Sequence, residues 1–321
     1  MSNKVFDLKE TQNMMPTYES LHINDLTPVE VHDGIFYKRD DKYMPFDDVP
    51  LSGGKVRQAC SLLLENYEHI RDDCDGLVAT ASALSSPQGI IIARVAKEFG
   101  FRSLILFGGT HKKSVLKKHP LTLYITNFGA RVNLTAKLGY DDVVQSYLKK
   151  LIKEGLKCFN VRFGINLSSS PKSIIEAIGR QVQNIPDDLD MLIIPCGSCI
   201  TACGIMWGLQ EYNKVPKKIY LIQISNKFRE KEISEASNAL KIQFPEYTYI
   251  KDATYPYNKK VRLPFGGGYM DPIYEGKAFD YMNKHIDTKG KKVLFWIVGD
   301  SQPVRDHAEE FRRRLKREYN I

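Results

Sequence analysis

The chain has 321 residues, 43% hydrophobic and 26% charged, with a net charge of +8 and a pI near 9.0. That length suits one large domain or two moderate ones, each able to bury a core. No run approaches the roughly eighteen uninterrupted apolar residues that a membrane span needs, and the N-terminal "MSNKVFDLKETQNMMP" lacks the apolar stretch of a signal peptide, so a cytoplasmic protein is expected.

In chain order, the segment before residue 50 reads as short strands and turns, with Asp33-Gly34 and Asp40-Asp41 as turn candidates. Next, "SGGKVRQ" sets two glycines and Lys55 before an amphipathic helix over 56–70. It is not a P-loop, because Val56 follows the lysine where that motif needs Ser or Thr. On spacing alone Lys55 reads as a solvated lysine at a helix start. Near-continuous apolar runs at 75–82, 102–109, 190–198, 218–225 and 292–300 predict strands buried on both faces. Helical patterns lie between and after them, at 88–100, 141–155, 171–185, 202–214 and 276–286. This alternation predicts an α/β fold with mostly parallel sheets. Residues 244–276 form a long irregular stretch rich in Tyr, Pro and Gly, and such loops are uncommon in compact domains unless they have a job.

Two further segments could carry chemistry. "PCGSCITACGIMWG" (195–208) follows a predicted strand and opens a helix, where free backbone N–H groups together with Ser198 and Thr201 make a natural phosphate seat. Cys196, Cys199 and Cys203 lie within it, but no fourth Cys or His completes a structural zinc site, so small thiols in a tight turn are expected and no metal. The six cysteines as a whole suit reduced thiols better than a disulfide framework. The dinucleotide fingerprint G-x-G-x-x-G is absent here. The other segment, "GGGYMDPIYEGKAFDYM" (266–282), places Tyr274 and Glu275 at a loop-to-helix boundary, where an acid is favoured by the macrodipole. Basic residues concentrate at 111–119, 257–263 and 312–321, which fits a solvated surface first and a polyanionic substrate second.

Taken together and in this order, these segments resemble the fold type II pyridoxal 5′-phosphate (PLP) enzymes, in the branch of 1-aminocyclopropane-1-carboxylate deaminase and D-cysteine desulfhydrase. The resemblance runs from about Leu26 to Val298, and its most specific part is the run Asp271-Pro272-Ile273-Tyr274-Glu275-Gly276-Lys277. It implies two three-layer α/β domains of the tryptophan synthase β type with the cofactor between them. A large domain would combine 1–58 with 166–321, a small one would span 59–165, and the chain would form a homodimer. It implies that Lys55 forms the Schiff base with the cofactor, that Gly197, Ser198, Cys199, Ile200 and Thr201 bind its phosphate, and that Glu275 faces the pyridine nitrogen. Tyr274 would lie over the substrate as an acid, base or positioning group. Ser85 and Ser86 match the serine turn that holds the substrate carboxylate, one of which helps move protons. Where the family has asparagines, this chain has Gly54 and Pro87. Either Gln88 takes over the second asparagine's contact or the cofactor's electronics differ.

The implied activity is a deaminase- or lyase-type reaction on a substrate with a free α-amino-acid group. The departures at Gly54, Pro87, Cys199 and Ile200, with the +8 charge, motivate an alternative within the same fold. In it the enzyme acts on, for example by decarboxylating, an amino-acid adduct of a thymine-type base in DNA, in a phage hypermodification pathway within the host cytoplasm. A third reading is a catalytically inactive binding protein on the same fold.

Overall fold

The computed structural model describes residues 15–83, 86–107, 118–134, 141–165, 171–224, 229–252, 254–257 and 259–319. Asp33 and Gly34 both have positive φ, 50° and 78°, the combination a two-residue type I′ hairpin needs. They join β1 (Val29–His32) to β2 (Ile35–Arg39), with Val29 opposite Lys38. The second turn candidate becomes a single 3-10 turn, Asp40–Lys42.

Two sheets organise the chain. The smaller contains β3 (Leu77–Ser82), β4 (Arg102–Phe107), β5 (Arg131–Leu134) and β6 (Phe159–Val161), in the order β5-β4-β3-β6 and parallel throughout. The larger adds β7 (Met191–Cys196), β8 (Lys218–Gln223), β9 (Thr248–Lys251) and β12 (Val293–Ile297) to the hairpin, in the order β1-β2-β12-β7-β8-β9. Only β1 runs antiparallel to its neighbour there. The parallel sheets explain the unbroken apolar runs: β7 and β12 are buried along their whole length. Burying a large apolar side chain stabilises by roughly 1.5–3 kcal/mol, so β12 alone contributes on the order of 10 kcal/mol before the entropy of ordering it is set against that.

Among the described residues the helices are α1 (Gly54–Glu65), α2 (Tyr67–Asp72), α3 (Gln88–Glu98), α4 (Pro120–Asn127), α5 (Asp141–Lys153), α6 (Pro171–Gly179), α7 (Ile200–Glu211), α8 (Glu230–Leu240), α9 (Glu275–His285) and α10 (Gln302–Tyr319). The helix predicted over 56–70 breaks at Asn66, whose side-chain amide donates to the Leu62 carbonyl (2.8 Å) and competes with the backbone for it. The one predicted over 171–185 tightens after Gly179 into a 3-10 turn, Arg180–Asn184. The irregular stretch 244–276 contains β9 and a small hairpin, β10 (Pro264–Phe265) with β11 (Gly268–Tyr269). Residues 312–319, part of the segment noted in the sequence only for its charge, belong to α10. The apolar stripe of α10 packs on α4, where Tyr124 meets Phe311 with ring centroids 5.3 Å apart. No helix among the described residues is long and apolar enough to cross a membrane.

A buried polar network ties the N-terminal segment to the large sheet. Trp296 donates its indole N–H to Asp40 (2.9 Å), Thr27 donates its hydroxyl to the same carboxylate (2.8 Å), and Lys38 reaches the Thr27 carbonyl and the Asn184 amide oxygen. Burial pushes the Lys38 amine down to about 8. This network fixes the chain just ahead of α1, the helix that carries Lys55.

Candidate active site

One cavity lies at the carboxyl ends of β7 and β12, facing the start of α3, which follows β3 of the other sheet. Open parallel sheets place ligands at such ends. Lys55, Gly197, Ser198, Cys199, Thr201, Tyr274 and Glu275 all line it, although they come from three distant parts of the sequence.

Lys55 enters from the first turn of α1. Gly53 before it has φ 96°, and a Cβ there would stand 2.5 Å from the Val298 carbonyl oxygen, so only glycine fits. The Gly54 N–H donates to that same oxygen (2.8 Å), tying the helix start to the end of β12. A side chain at Gly54 would press on Ile178, its Cβ 2.9 Å from the Ile178 Cδ1, which gives a packing reason for glycine where the family has asparagine. Lys55 has no hydrogen-bond or ion-pair partner among the described residues. Desolvation pushes its amine down to about 8, toward the neutral form that attacks carbonyls.

The turn after β7 has the shape of an anion seat. Cys199 adopts the left-handed conformation (φ 64°) and no side chain caps α7, so its first N–H groups are free for a ligand. Gln223 braces the turn: its amide donates to the Gly197 carbonyl (3.0 Å), while its oxygen accepts from the Cys199 thiol (3.3 Å) and the Tyr249 hydroxyl (2.8 Å). A Cβ on Gly197 would come 2.8 Å from the Tyr274 ring, so the phenol closes directly over the seat. The Ile200 side chain is buried in the core, leaving only its backbone to a ligand. Cys196 is held as a thiol by its hydrogen bond with Cys199 and by burial. Among the described residues no group of three His, Cys, Asp or Glu is arranged to hold a metal.

Opposite the seat stand three carboxyl groups. Asp271 accepts from the N–H groups of Ile273 and Tyr274 on one oxygen, and from the Ser301 N–H and hydroxyl on the other, clasping the starts of α9 and α10 together. Glu275 is 1% exposed, and its Oε1 accepts from the N–H groups of Val298 (3.1 Å) and Gly299 (3.3 Å). Burial, followed by the nearby charge of Asp271, holds Glu275 well above the usual carboxylate range. Asp300 is raised to about 6, chiefly by burial. The Tyr274 hydroxyl lies 2.5 Å from that of Tyr257, and burial pushes both phenols up. Lys277, itself 1% exposed, donates to the carbonyls of Pro256 and Tyr257 and fixes that partner loop.

The serine turn is placed differently. Ser85 lies outside the described residues. The Ser86 hydroxyl accepts the Gln88 N–H (3.3 Å), and Pro87, not Ser86, lines the cavity. Gln88 commits its whole amide to the protein: it donates to the Thr80 hydroxyl and the Arg162 carbonyl (both 2.9 Å) and accepts from the Gly164 N–H (2.6 Å). It braces α3 against the loop after β6, an arrangement that leaves no amide group to take the place of the missing asparagine.

No protein-family model matches this sequence. An "O-seryl-dTMP PLP-dependent decarboxylase" of Salmonella phage ViI is 26% identical, the match covering 84% of this chain and 79% of that protein. Among solved structures, an ACC deaminase homologue superposes with a TM-score of 0.68 at 20% identity, covering 91% of this chain and 97% of the other. Diaminopropionate ammonia lyase from Escherichia coli, solved with an aminoacrylate-PLP azomethine reaction intermediate, gives a TM-score of 0.59 at 13% identity, over 97% and 95%. The chain has the fold of the type II PLP enzymes.

The donor set suits that cofactor. A type II PLP site needs an amine to hold the aldehyde, donors for a phosphate and a partner for the ring nitrogen, and here Lys55, the N-terminus of α7 and Glu275 face one cavity. Sequence reasoning passed over Tyr257, Asp300, Ser301 and the bracing role of Lys277. Tyr257 sits in the long Tyr- and Pro-rich stretch already marked as unusual. Asp300 and Ser301 follow a predicted parallel strand, which is a signal in itself.

Proposed function

We propose that this chain is a PLP-dependent enzyme acting on a free α-amino-acid group, and that its reaction is decarboxylation of an amino acid attached to a thymidine nucleotide. The observation that carries the first part is the meeting of Lys55, the α7 N-terminus and Glu275 in one cavity. The second rests on the 26% identity to the phage decarboxylase over most of the chain. When bound, PLP supplies a sink for the electron pair left at Cα when a bond there breaks.

The chain's own residues do the rest. Lys55 would hold the cofactor through its amine and, once freed as an ammonium by a substrate amine, would be the group placed to return a proton to Cα after CO2 leaves. The first turn of α7 would hold the phosphate. Glu275 would face the ring nitrogen, and a proton held between the two would strengthen the sink. Tyr274, supported by Tyr257, covers the substrate. Among the described lining residues Lys55 is the only cation, against Asp271, Glu275 and Asp300. A substrate carboxylate therefore meets no cationic clamp from these residues, and its loss as neutral CO2 removes its charge from a cavity lined by carboxyl groups. The division at 58/59 and 165/166 is supported by the four-stranded sheet lying wholly within 59–165. A homodimer in the host cytoplasm completes the reading.

The test is spectroscopic first. Purified protein given PLP should develop an absorbance band at the visible edge, fixed by borohydride and missing from Lys55→Ala. Amino acids and seryl-thymidine compounds are then assayed for CO2 release by mass spectrometry. Absence of the band would remove the enzyme reading in favour of a binding protein on the same fold. Ammonia release without CO2 would turn it back to a deaminase.

A further inference from the structure

We propose that Lys259, Lys260 and Arg262, beside the cavity, grip the phosphodiester backbone of DNA flanking the substrate base. This rests on the reading of the substrate as a thymidine adduct.

The loop that carries these residues is fixed against the site. Lys277 holds its Pro256 and Tyr257 carbonyls, and the Tyr257 hydroxyl touches that of Tyr274. The Val261 N–H donates to the Pro272 carbonyl (2.8 Å). The Val261 carbonyl oxygen sits 1.8 Å from where a Cβ on Gly276 would be, so the loop backbone rests on the first turn of α9, next to Glu275. Arg262 is close enough to Asp300, a cavity residue, to oppose the rise of its pKa.

All three cations are exposed and none forms an ion pair among the described residues. Arg262 lies over the Tyr269 ring, 4.6 Å from its centroid. Of the neighbouring acids, Asp252 accepts the Thr254 N–H, Asp280 accepts from the Tyr255 hydroxyl and from Lys284, and Asp300, the acid near Arg262, accepts the Gln302 N–H. Three like charges on one short loop repel one another, and a polyanion relieves that repulsion. From 259 to 262 the backbone spans at most about 10 Å. That exceeds what a single phosphate monoester bridges and matches two or three phosphates of one strand at about 3.4 Å of rise each. A thymine in a duplex must leave the stack to approach Lys55, and a grip on the flanking backbone holds the strand while it does so.

Fluorescence anisotropy tests this with a short labelled, unmodified DNA duplex, PLP-loaded protein and a salt series. Each lost phosphate contact flattens the plot of log affinity against log salt by about 0.9. Lys259→Gln/Lys260→Gln/Arg262→Gln should therefore flatten the slope by about 3 and weaken binding at least tenfold near 0.1 M salt. The charge-reversal triple (Glu at all three positions) should weaken it further. Unchanged slope and affinity in both variants would overturn the proposal. So would displacement of the duplex by thymidine monophosphate at equal phosphate concentration, which would make the site one for a free nucleotide. The absorbance band and the urea midpoint verify that each variant is folded. A wild-type protein with the band but without salt-sensitive DNA binding loses this inference and keeps the PLP reading. Salt-sensitive binding that depends on the three cations but is accompanied by no band does the reverse.

Discussion

Replacing Lys55 with methionine should make the cofactor-free chain more stable at neutral pH, by an amount that shrinks as the pH rises. The Lys55 amine is pushed from 10.5 in the unfolded chain to about 8 in the folded one, by desolvation. Below both values the folded chain must hold the charged amine in a poorly solvating place, and the cost is fully present. Between about 8 and 10.5 the folded amine gives up its proton before the unfolded one does, so stability rises with pH through that window. Above it the cost is gone. Each pKa unit corresponds to about 1.4 kcal/mol, which gives an upper figure of roughly 3 kcal/mol near pH 7 and under about 1 kcal/mol near pH 10. Methionine has a similar length and no charge, and any packing it gains does not depend on pH. Urea unfolding of both proteins at the two pH values isolates the titrating part. An equal gain at both would mean that Lys55 titrates like a surface lysine, and the claim that burial prepares it for covalent chemistry would fail.

Gly53→Ala should lower both the unfolding midpoint and PLP uptake, because a left-handed non-glycine residue costs about 1–3 kcal/mol and its Cβ would also meet the Val298 oxygen at 2.5 Å. Thermal melts and the absorbance band read the two effects. Tyr257→Phe removes the hydroxyl partner of Tyr274 while leaving the ring in place, so kcat should fall by about 10–100-fold with the band retained if the pair moves or steadies a proton; an unchanged kcat would confine Tyr257 to packing. Asp300→Asn keeps an acceptor for the Gln302 N–H (2.9 Å) and removes a carboxyl whose folded pKa is raised from 3.8 to about 6. Folded wild type holds that proton longer than the unfolded chain, so its stability falls as the pH rises from about 4 to 6. The variant's advantage should grow over that interval and then level off in urea titrations; a constant difference would contradict a buried Asp300.

Much of the architecture is legible in local pattern. The apolar runs at 190–198 and 292–300 suit strands covered on both faces, and the Asp33-Gly34 pair supports a tight hairpin because both residues tolerate positive φ. The amphipathic α10 was hidden because its stripe of Val304, Ala308 and Phe311 is interrupted by a histidine and a dense set of charges. The break at Asn66 and the tightening after Gly179 were missed because short polar side chains and close helix contacts override helical periodicity locally.

The candidate site divides along the same line. Sequence alone determined which residue types were present and in what order: a lysine after glycines, a glycine-serine turn ahead of a helix, and a Tyr-Glu pair at a helix start. These are local features of backbone and composition, and they suffice to suggest the chemistry. Only the tertiary structure decided that Gln88 is spent as a brace, that Asp271, Glu275 and Asp300 share one wall, and that Tyr257 stands 2.5 Å from Tyr274. Burial, charge proximity and hydrogen-bond commitment depend on residues tens or hundreds of positions apart. They exist only once the two sheets have brought those residues together.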